Sequence, residues 1–384
     1  MHDMFSGDVP PGLAGSRLTI DLGALADNWR FMRAASGTAE CAAVVKADAY
    51  GVGQGPATRA LAAAGCRTFF VAHASEALRL RADVPGACVW LLNGLPPGAA
   101  RRLAAAGVRP VLASPAQLEE WRREAGGAPA GVQVDTGMNR LGLTAGEAAA
   151  LAASPPEWLE LVMSHFIASE EPANPRNAVQ IARFTEIVRP FPPRVRRSLA
   201  NSSGVMLPQA PHFDLTRPGY ALYGGNPTPE RPNPMRPVVR LEARIIQVRE
   251  VAAGDTVGYN ARWRAPGPAR VAILSLGYAD GFPRAGSVRN DGAAQPLPGG
   301  AALVSGRLCP FAGAVSMDLA AADVSALPAG AVRAGDWATV IGDALDVDTV
   351  AARLGTIGYE ILTSLGRRHA RIYAGAPAAA PAAP

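Results

Sequence analysis

From about residue 17 to residue 220, short and densely apolar runs alternate with longer stretches whose apolar residues recur at helical spacing. The runs at 41–46 (CAAVVK), 68–72, 87–92, 109–112, 131–135, 159–164, 196–200 and 213–216 lack the in–out alternation of a half-exposed sheet. They read as parallel strands covered on both faces. Helix signals separate them: PATRALAAAG places Pro56 in a first turn and Gly65 at a stop. LAAAGCRTFFVA returns 42 residues later as LAAAGVRPVLAS, a repeat of two strand–helix units. Eight such units predict an α/β fold, a (β/α)₈ barrel.

The texture changes after Gly225. NPTPERPNPMRP is a proline-rich connector, followed by VVRLEARIIQVREV, ARVAILSLGY, AALVSG, AVSMDLAAADV and WATVIGD with Gly, Pro and Asn-Asp-Gly turns between them. That punctuation predicts a mostly antiparallel β domain. One helix interrupts it, with Asp346 as N-cap and Gly355 as stop. The boundaries expected are an N-terminal extension at 1–16, the barrel at 17–236, the β domain at 237–374 and a tail at 375–384. The tail, GAPAAAPAAP, is low in complexity and reads as disordered.

Composition narrows the class of protein. The chain has 384 residues, 49% apolar and 18% charged, enough to fill two globular cores. MHDMFSGDVPPG, at the start, has neither a basic nor an apolar run, and no window approaches 18 apolar residues. Neither a signal peptide nor a membrane span is expected. Cys41, Cys66, Cys88 and Cys309 show no metal-like or redox-like spacing and read as reduced core thiols of a cytoplasmic protein. The net charge of +5 invites a nucleic-acid reading, but the arginines are scattered. The short clusters Arg194–Arg197 and Arg367–Arg371 lack interleaved aromatics, so no nucleic-acid partner is expected.

One residue count carries chemistry. Of the 37 lysines and arginines, Lys46 is the single lysine and the other 36 are arginine. Arginine evidently serves wherever a fixed charge suffices. A guanidinium stays protonated, so it cannot form an imine or act as a base near neutral pH; an amine can. Lys46 ends the first barrel strand, where a barrel's reactive groups belong.

Other strand ends then become informative. His165 ends strand six, Asn201 and Ser202 follow strand seven, and Arg217-Pro-Gly-Tyr follows strand eight. Loops after strands seven and eight are where barrels often bind phosphate. Singly, Ser202 also reads as a helix N-cap and His165 as a satisfied buried histidine. An imine-forming lysine and a phosphate seat at one barrel mouth suggest pyridoxal 5′-phosphate (PLP).

VVKADAYG, VDTGMNRLG, SHF, ANSSG, RPGYALYG, VGYN, LGYADGFPR and SMD occur in that order. Over residues 17 to 373 the chain resembles the alanine racemase family, PLP enzymes with a barrel followed by a β domain. The resemblance implies a homodimer with shared active sites, in which Lys46 binds PLP covalently and acts as one base. Tyr259 matches the second base, contributed by the partner subunit to the opposite substrate face. Arg217 matches the arginine facing the pyridine nitrogen, with His165 beside the ring. Arg140 corresponds to the residue at the PLP phenolic oxygen and the substrate carboxylate. Tyr50, Ser202, Gly219, Tyr220 and Tyr359 map to phosphate contacts. Met317 maps to a backbone contact with the substrate carboxylate, and Tyr278, Arg284 and Asp318 to the inner gate and entrance.

The chain departs from the family at Gln133, seven residues before Arg140, where many relatives carry a carboxylated lysine. Gln133 is able to hydrogen-bond Arg140 but brings no charge, so a chloride or a nearby carboxylate is expected there. Tyr220, Ser316 and Val52 also differ from the usual residues without removing a chemical role. The leading expectation is interconversion of L- and D-alanine by two bases. A broader racemase acting on serine or on larger or basic amino acids, a related decarboxylase and a non-catalytic PLP carrier are the competitors. A decarboxylase of this architecture pairs the pyridine nitrogen with an acid, so Arg217 argues against it. The β domain and Tyr259 argue against a carrier.

Overall fold

The computed structural model describes Pro10, residues 12–292, 297–342 and 344–375, which fall into two compact units. The chain begins with β1 (Ser16–Asp21), whose residues alternate between buried and half-buried. The barrel strands follow as β2 (Glu40–Cys41), β3 (Ala43–Val44), β4 (Thr68–Val71), β5 (Cys88–Leu91), β6 (Val108–Leu112), β7 (Ala130–Gln133), β8 (Leu159–Met163), β9 (Arg196–Ser198) and β10 (Leu215–Thr216). The remaining strands are β11 (Val239–Val251), β12 (Thr256–Val257), β13 (Trp263–Arg264), β14 (Ala269–Leu274), β15 (Ala301–Val304), β16 (Arg307–Pro310), β17 (Ala320–Asp323), β18 (Trp337–Ile341) and β19 (Ala370–Ala374).

β3 to β9 form a parallel sheet in sequence order. It closes through β10: Asp214 N donates to Arg197 O (3.0 Å) and Arg217 N to Ala200 O (2.9 Å) on one side. On the other side Leu215 and Thr216 pair in parallel with Glu40 and Cys41. β2 and β3 are one barrel strand interrupted at Ala42, so eight strand positions ring the barrel as expected. Phe69, Phe70 and Trp90 are fully buried, with Phe69 and Phe70 on opposite faces of β4, and the Phe70 and Trp90 rings lie 6.1 Å apart. Gly131 makes room for them, because a Cβ there would stand 3.0 Å from both Leu161 and the Trp90 ring. Both copies of the LAAAG repeat end a helix (Gln54–Ala63 and Ala100–Ala105) and lead into β4 and β6. Helix starts follow local chemistry. Thr144 and Glu147 cap each other's backbone amides, and Asn174 with Pro175 opens the helix Pro175–Val188.

The second unit is built on β11, which pairs antiparallel with β1 and β18 along its first part and with β14 along its second. β14 in turn pairs with β17, and β15 with β16 and β18. Trp263, Ala265, Ala269, Val271, Ala312 and Ala321 form a core here. The helix Val347–Leu354 begins at Asp346, whose carboxylate accepts from Thr349 N, and stops at left-handed Gly355, as the sequence predicts. A second helix, Gly358–Ser364, lies beyond the predicted elements.

One strand differs from the sequence reading. β1, for which no strand is expected and most of which the expected bounds place in the barrel, lies between β11, antiparallel, and β19, parallel. The described residues up to Leu22 therefore group with the β unit, and the barrel unit begins at Gly23. Of the expected tail, residues 376–384 lie outside the described residues, as do residues 1–9 of the expected N-terminal extension. Among the described residues no helix is long and apolar enough to cross a membrane. All four cysteines are free; Cys41, Cys66 and Cys309 are buried and Cys88 is half-buried.

Candidate active site

Lys46 stands two residues beyond β3 and opens a short turn, Lys46–Tyr50. Ala47, Asp48, Ala49 and Tyr50 all adopt left-handed backbone angles, with φ of 53°, 55°, 54° and 53°. For residues with a Cβ this costs about 1–2 kcal/mol each, so the turn needs support from its surroundings. Gly51 N donates to Ala47 O (2.8 Å) and Gly53 N to Asp48 O (2.9 Å). Gln54 N donates to Asp48 Oδ1 (2.8 Å), and Ala47 N reaches across to Glu76 Oε1 (2.7 Å). The Lys46 amine is half-buried. Burial lowers its pKa, the Arg140 guanidinium lowers it further, and Glu76 works against both. The free amine is thereby favoured.

Arg217 follows β10 and is 3% exposed. Its Nη1 donates to Ser198 Oγ, its Nη2 to Ser164 O (2.7 Å), and the guanidinium lies 5.9 Å from the Phe70 ring centre. Nε is outside this set, and no carboxylate pairs with the group among the described residues. Burial brings its pKa down to about 9, which leaves it charged at neutral pH. His165, just beyond β8, is pushed down to about 3 by burial and by the charges of Arg217, Arg140 and Lys46. It is a neutral imidazole among cations.

Arg140 lies exposed in the loop after β7 and makes no ion pair among the described residues. The expected Gln133–Arg140 hydrogen bond does not form. Gln133 Nε2 instead donates to Leu141 O (3.0 Å), where it braces the loop backbone beside the arginine. Of the expected chloride or nearby carboxylate, no carboxylate pairs with Arg140 among the described residues.

After β9, Asn201 Oδ1 caps the turn Ser202–Met206 by accepting from Gly204 N (2.8 Å) and also accepts from Ser169 Oγ (2.9 Å). Its side-chain oxygen is thus committed to the turn amide and to Ser169. Ser202 Oγ accepts from Gly219 N (3.0 Å) and Ala221 N (3.2 Å), so two backbone amides converge on this hydroxyl. A Cβ on Gly219 would overlap the Tyr50 hydroxyl, which brings Tyr50 to the same place. The Tyr220 ring lies against Gly225, which has no Cβ to obstruct it.

These residues fit PLP: hydroxyls and backbone amides for a phosphate, a buried guanidinium for the ring nitrogen, and a primary amine for the aldehyde. A larger residue at 219 would fill the cradle.

The remaining predicted residues belong to the β unit. Tyr259 sits on the turn Tyr259–Ala261, after left-handed Gly258, and is 70% exposed. Tyr259, Tyr278, Arg284, Met317 and Asp318 line one cleft of about 480 Å³. Tyr278 N and Ala279 N donate to Ser316 O and Met317 O, both at 3.0 Å, which joins the two segments. Arg368 links them again, pairing with Asp280 (3.3 Å) and Asp318 (2.8 Å). Tyr359 is half-buried on the helix Gly358–Ser364.

Sequence reasoning passed over Glu76, Tyr223 and Arg368. Glu76 had a signal, the capping-box spacing after His73. Tyr223 lies within RPGYALYG with nothing to set it apart, and the partners of Arg368 are distant in sequence.

Residues 20–227 match the family model for the alanine racemase N-terminal domain, and residues 238–373 match that for the C-terminal domain. An alanine racemase of Methylobacterium nodulans is 55% identical over 94% of this chain and 96% of its own. One of Acidiphilium cryptum is 50% identical over 92% and 98%. Among solved structures, alanine racemase of Bartonella henselae with covalently bound pyridoxal phosphate matches at a TM-score of 0.86 and 37% identity, over 94% of this chain and 99% of that one. A barrel bearing one lysine and a β unit presenting an exposed tyrosine thus meet in a single lineage, and the chain belongs to the alanine racemase family.

Proposed function

We propose that this chain interconverts L-alanine and D-alanine, with PLP bound through Lys46. The observation that carries the reading is the single lysine, half-buried at a barrel mouth where burial and the Arg140 guanidinium favour its neutral amine against the opposing charge of Glu76. When bound, PLP supplies an electron-withdrawing ring that stabilises negative charge at the substrate Cα. Lys46 Nζ takes or returns the α-proton on one face of the substrate. The Tyr259 phenol, contributed by a partner subunit of a homodimer, serves the other face. Two bases on opposite faces are what inversion requires.

Arg217 would hold the ring nitrogen while its two Nη groups stay anchored to Ser164 and Ser198. A guanidinium does not hand the ring a proton, so charge delocalisation stays limited and side reactions are restrained. Tyr50, Ser202, Gly219, Tyr220 and Tyr359 would hold the phosphate. Arg140 and the Met317 backbone orient the substrate carboxylate. Tyr278, Arg284 and Asp318 restrict the entrance, which favours alanine over larger or basic amino acids. A chloride neutralises Arg140 where a carbamate stands in many relatives, so added bicarbonate leaves the rate unchanged. The free thiols fit a cytoplasmic enzyme.

The test is a panel of single-enantiomer amino acids followed by chiral chromatography. Alanine should give the highest kcat/KM; a higher value for a basic amino acid would refute the assignment of substrate. Mixing Lys46→Ala with Tyr259→Phe subunits should restore activity through hybrid sites. No recovery in demonstrated mixed dimers would refute the shared site.

A further inference from the structure

We propose that Glu76 is a positioning residue for the reaction, holding the strained turn that presents Lys46 and setting a negative charge against its amine. The proposal rests on the reading of Lys46 as the cofactor lysine. Glu76 is on the helix Ala74–Asp83 and is 5% exposed. Its Oε2 accepts from Ala72 N (2.9 Å) and His73 N (3.0 Å), where the chain leaves β4 and enters that helix. A capping role needs no more than this. Its other oxygen, Oε1, leaves the helix and accepts from Ala47 N at 2.7 Å. Ala47 is the first of four consecutive left-handed residues, and its amide adjoins Lys46. One buried carboxylate therefore joins the exit of β4 to the origin of the strained turn.

The surroundings make its charge count. Arg140, on the loop after β7, lowers the Lys46 pKa alongside burial, and Glu76 opposes them. His165 after β8, a neutral imidazole, and Arg217 after β10 flank the same mouth. On the turn itself, Asp48 is exposed and its Oδ1 receives Gln54 N, while Tyr50 is buried. Glu76 makes no ion pair with Lys46, so it acts through the backbone and through the field.

The single lysine makes a clean test. Full-length chain carrying ¹³Cε-lysine gives one lysine signal, whose titration in the PLP-free chain reads the Lys46 amine directly. Glu76→Gln removes the charge at nearly constant shape. It should move that midpoint down by about one pH unit. In the holoenzyme it should speed PLP loss on dilution by about tenfold. If Glu76→Gln lowers only the melting temperature, with the midpoint and the PLP loss rate of wild type, Glu76 is a helix cap and the proposal is overturned. If that variant does not fold, Glu76→Asp, which keeps the charge but shortens the reach, should lose PLP faster with the midpoint unmoved; a wild-type loss rate overturns the proposal equally. Borohydride trapping with mass spectrometry of the wild-type Lys46 peptide separates the two readings. No PLP adduct there refutes the cofactor assignment, while the midpoint shift still reports on Glu76.

Discussion

The rings of Tyr50 and Tyr223 stack with centres 4.5 Å apart and planes 22° from parallel. The Tyr223 hydroxyl donates to Val44 O (2.9 Å), in the strand that leads to Lys46. The Tyr50 hydroxyl, proposed above to meet the phosphate, and Lys46 are thus referenced to the same strand. Stacking fixes the Tyr50 ring, Gly219 leaves space for its hydroxyl, and the left-handed turn connects it to Lys46 four residues away.

Gly219→Ala should therefore damage the site more than Tyr50→Phe. The phenylalanine loses one hydrogen bond to a charged group, about 1.5–3 kcal/mol, and should weaken PLP binding by roughly tenfold to a hundredfold. The alanine methyl would overlap the Tyr50 hydroxyl and displace the ring from its stack. Equilibrium titration of PLP by visible absorbance measures both. Combining Gly219→Ala with Tyr50→Phe should recover part of the loss, because the overlapping atom is gone.

Arg368 joins Asp280, on the turn that carries Tyr278, to Asp318, beside Met317. Asp280 is 4% exposed, so its charge depends on this partner and on the Gly277 amide that donates to it (2.8 Å). Arg368→Ala should loosen both walls of the cleft. Because the residue touches neither proton-transfer centre, KM for alanine should rise several-fold with a smaller change in kcat. Steady-state kinetics in both directions checks this.

His369 is 4% exposed and bridges Ser16 Oγ (2.7 Å) to Asp280 O (2.9 Å). Burial pushes its pKa down to about 4 from the ordinary 6.5, with the Asp280 carbonyl bond opposing the shift. The unfolded chain binds a proton at this residue between those two values and the folded chain does not. Its contribution is therefore present above pH 6.5 and is lost as pH falls toward 4. Melting temperatures measured from pH 7 to pH 4 should fall less steeply for His369→Gln than for wild type.

The sequence exposed the barrel because its strands are covered on both faces, and a dense run such as CAAVVK has few other readings. β1 escaped for the opposite reason. SRLTID alternates with period two, and its partners at 239–243 and 370–374 are more than 200 residues away, so no local pattern ties it to the β unit. The scarcity of lysine picked out Lys46, yet nothing in KADAY announces a left-handed turn, since none of the strained residues is glycine. Gln133 shows the limit of substitution logic. Its amide is able to reach an arginine, but the nearer Leu141 carbonyl takes it.

The central claim is that Lys46 delivers and removes the α-proton of alanine in concert with bound PLP. Incubating the PLP-loaded protein with L-alanine in D₂O, and following enantiomer and α-deuterium together, tests it most directly. D-alanine should accumulate to equal proportions with L-alanine, deuterated at Cα, and Lys46→Arg should abolish both signals. Deuterated D-alanine formed by a folded Lys46→Arg protein would contradict the account.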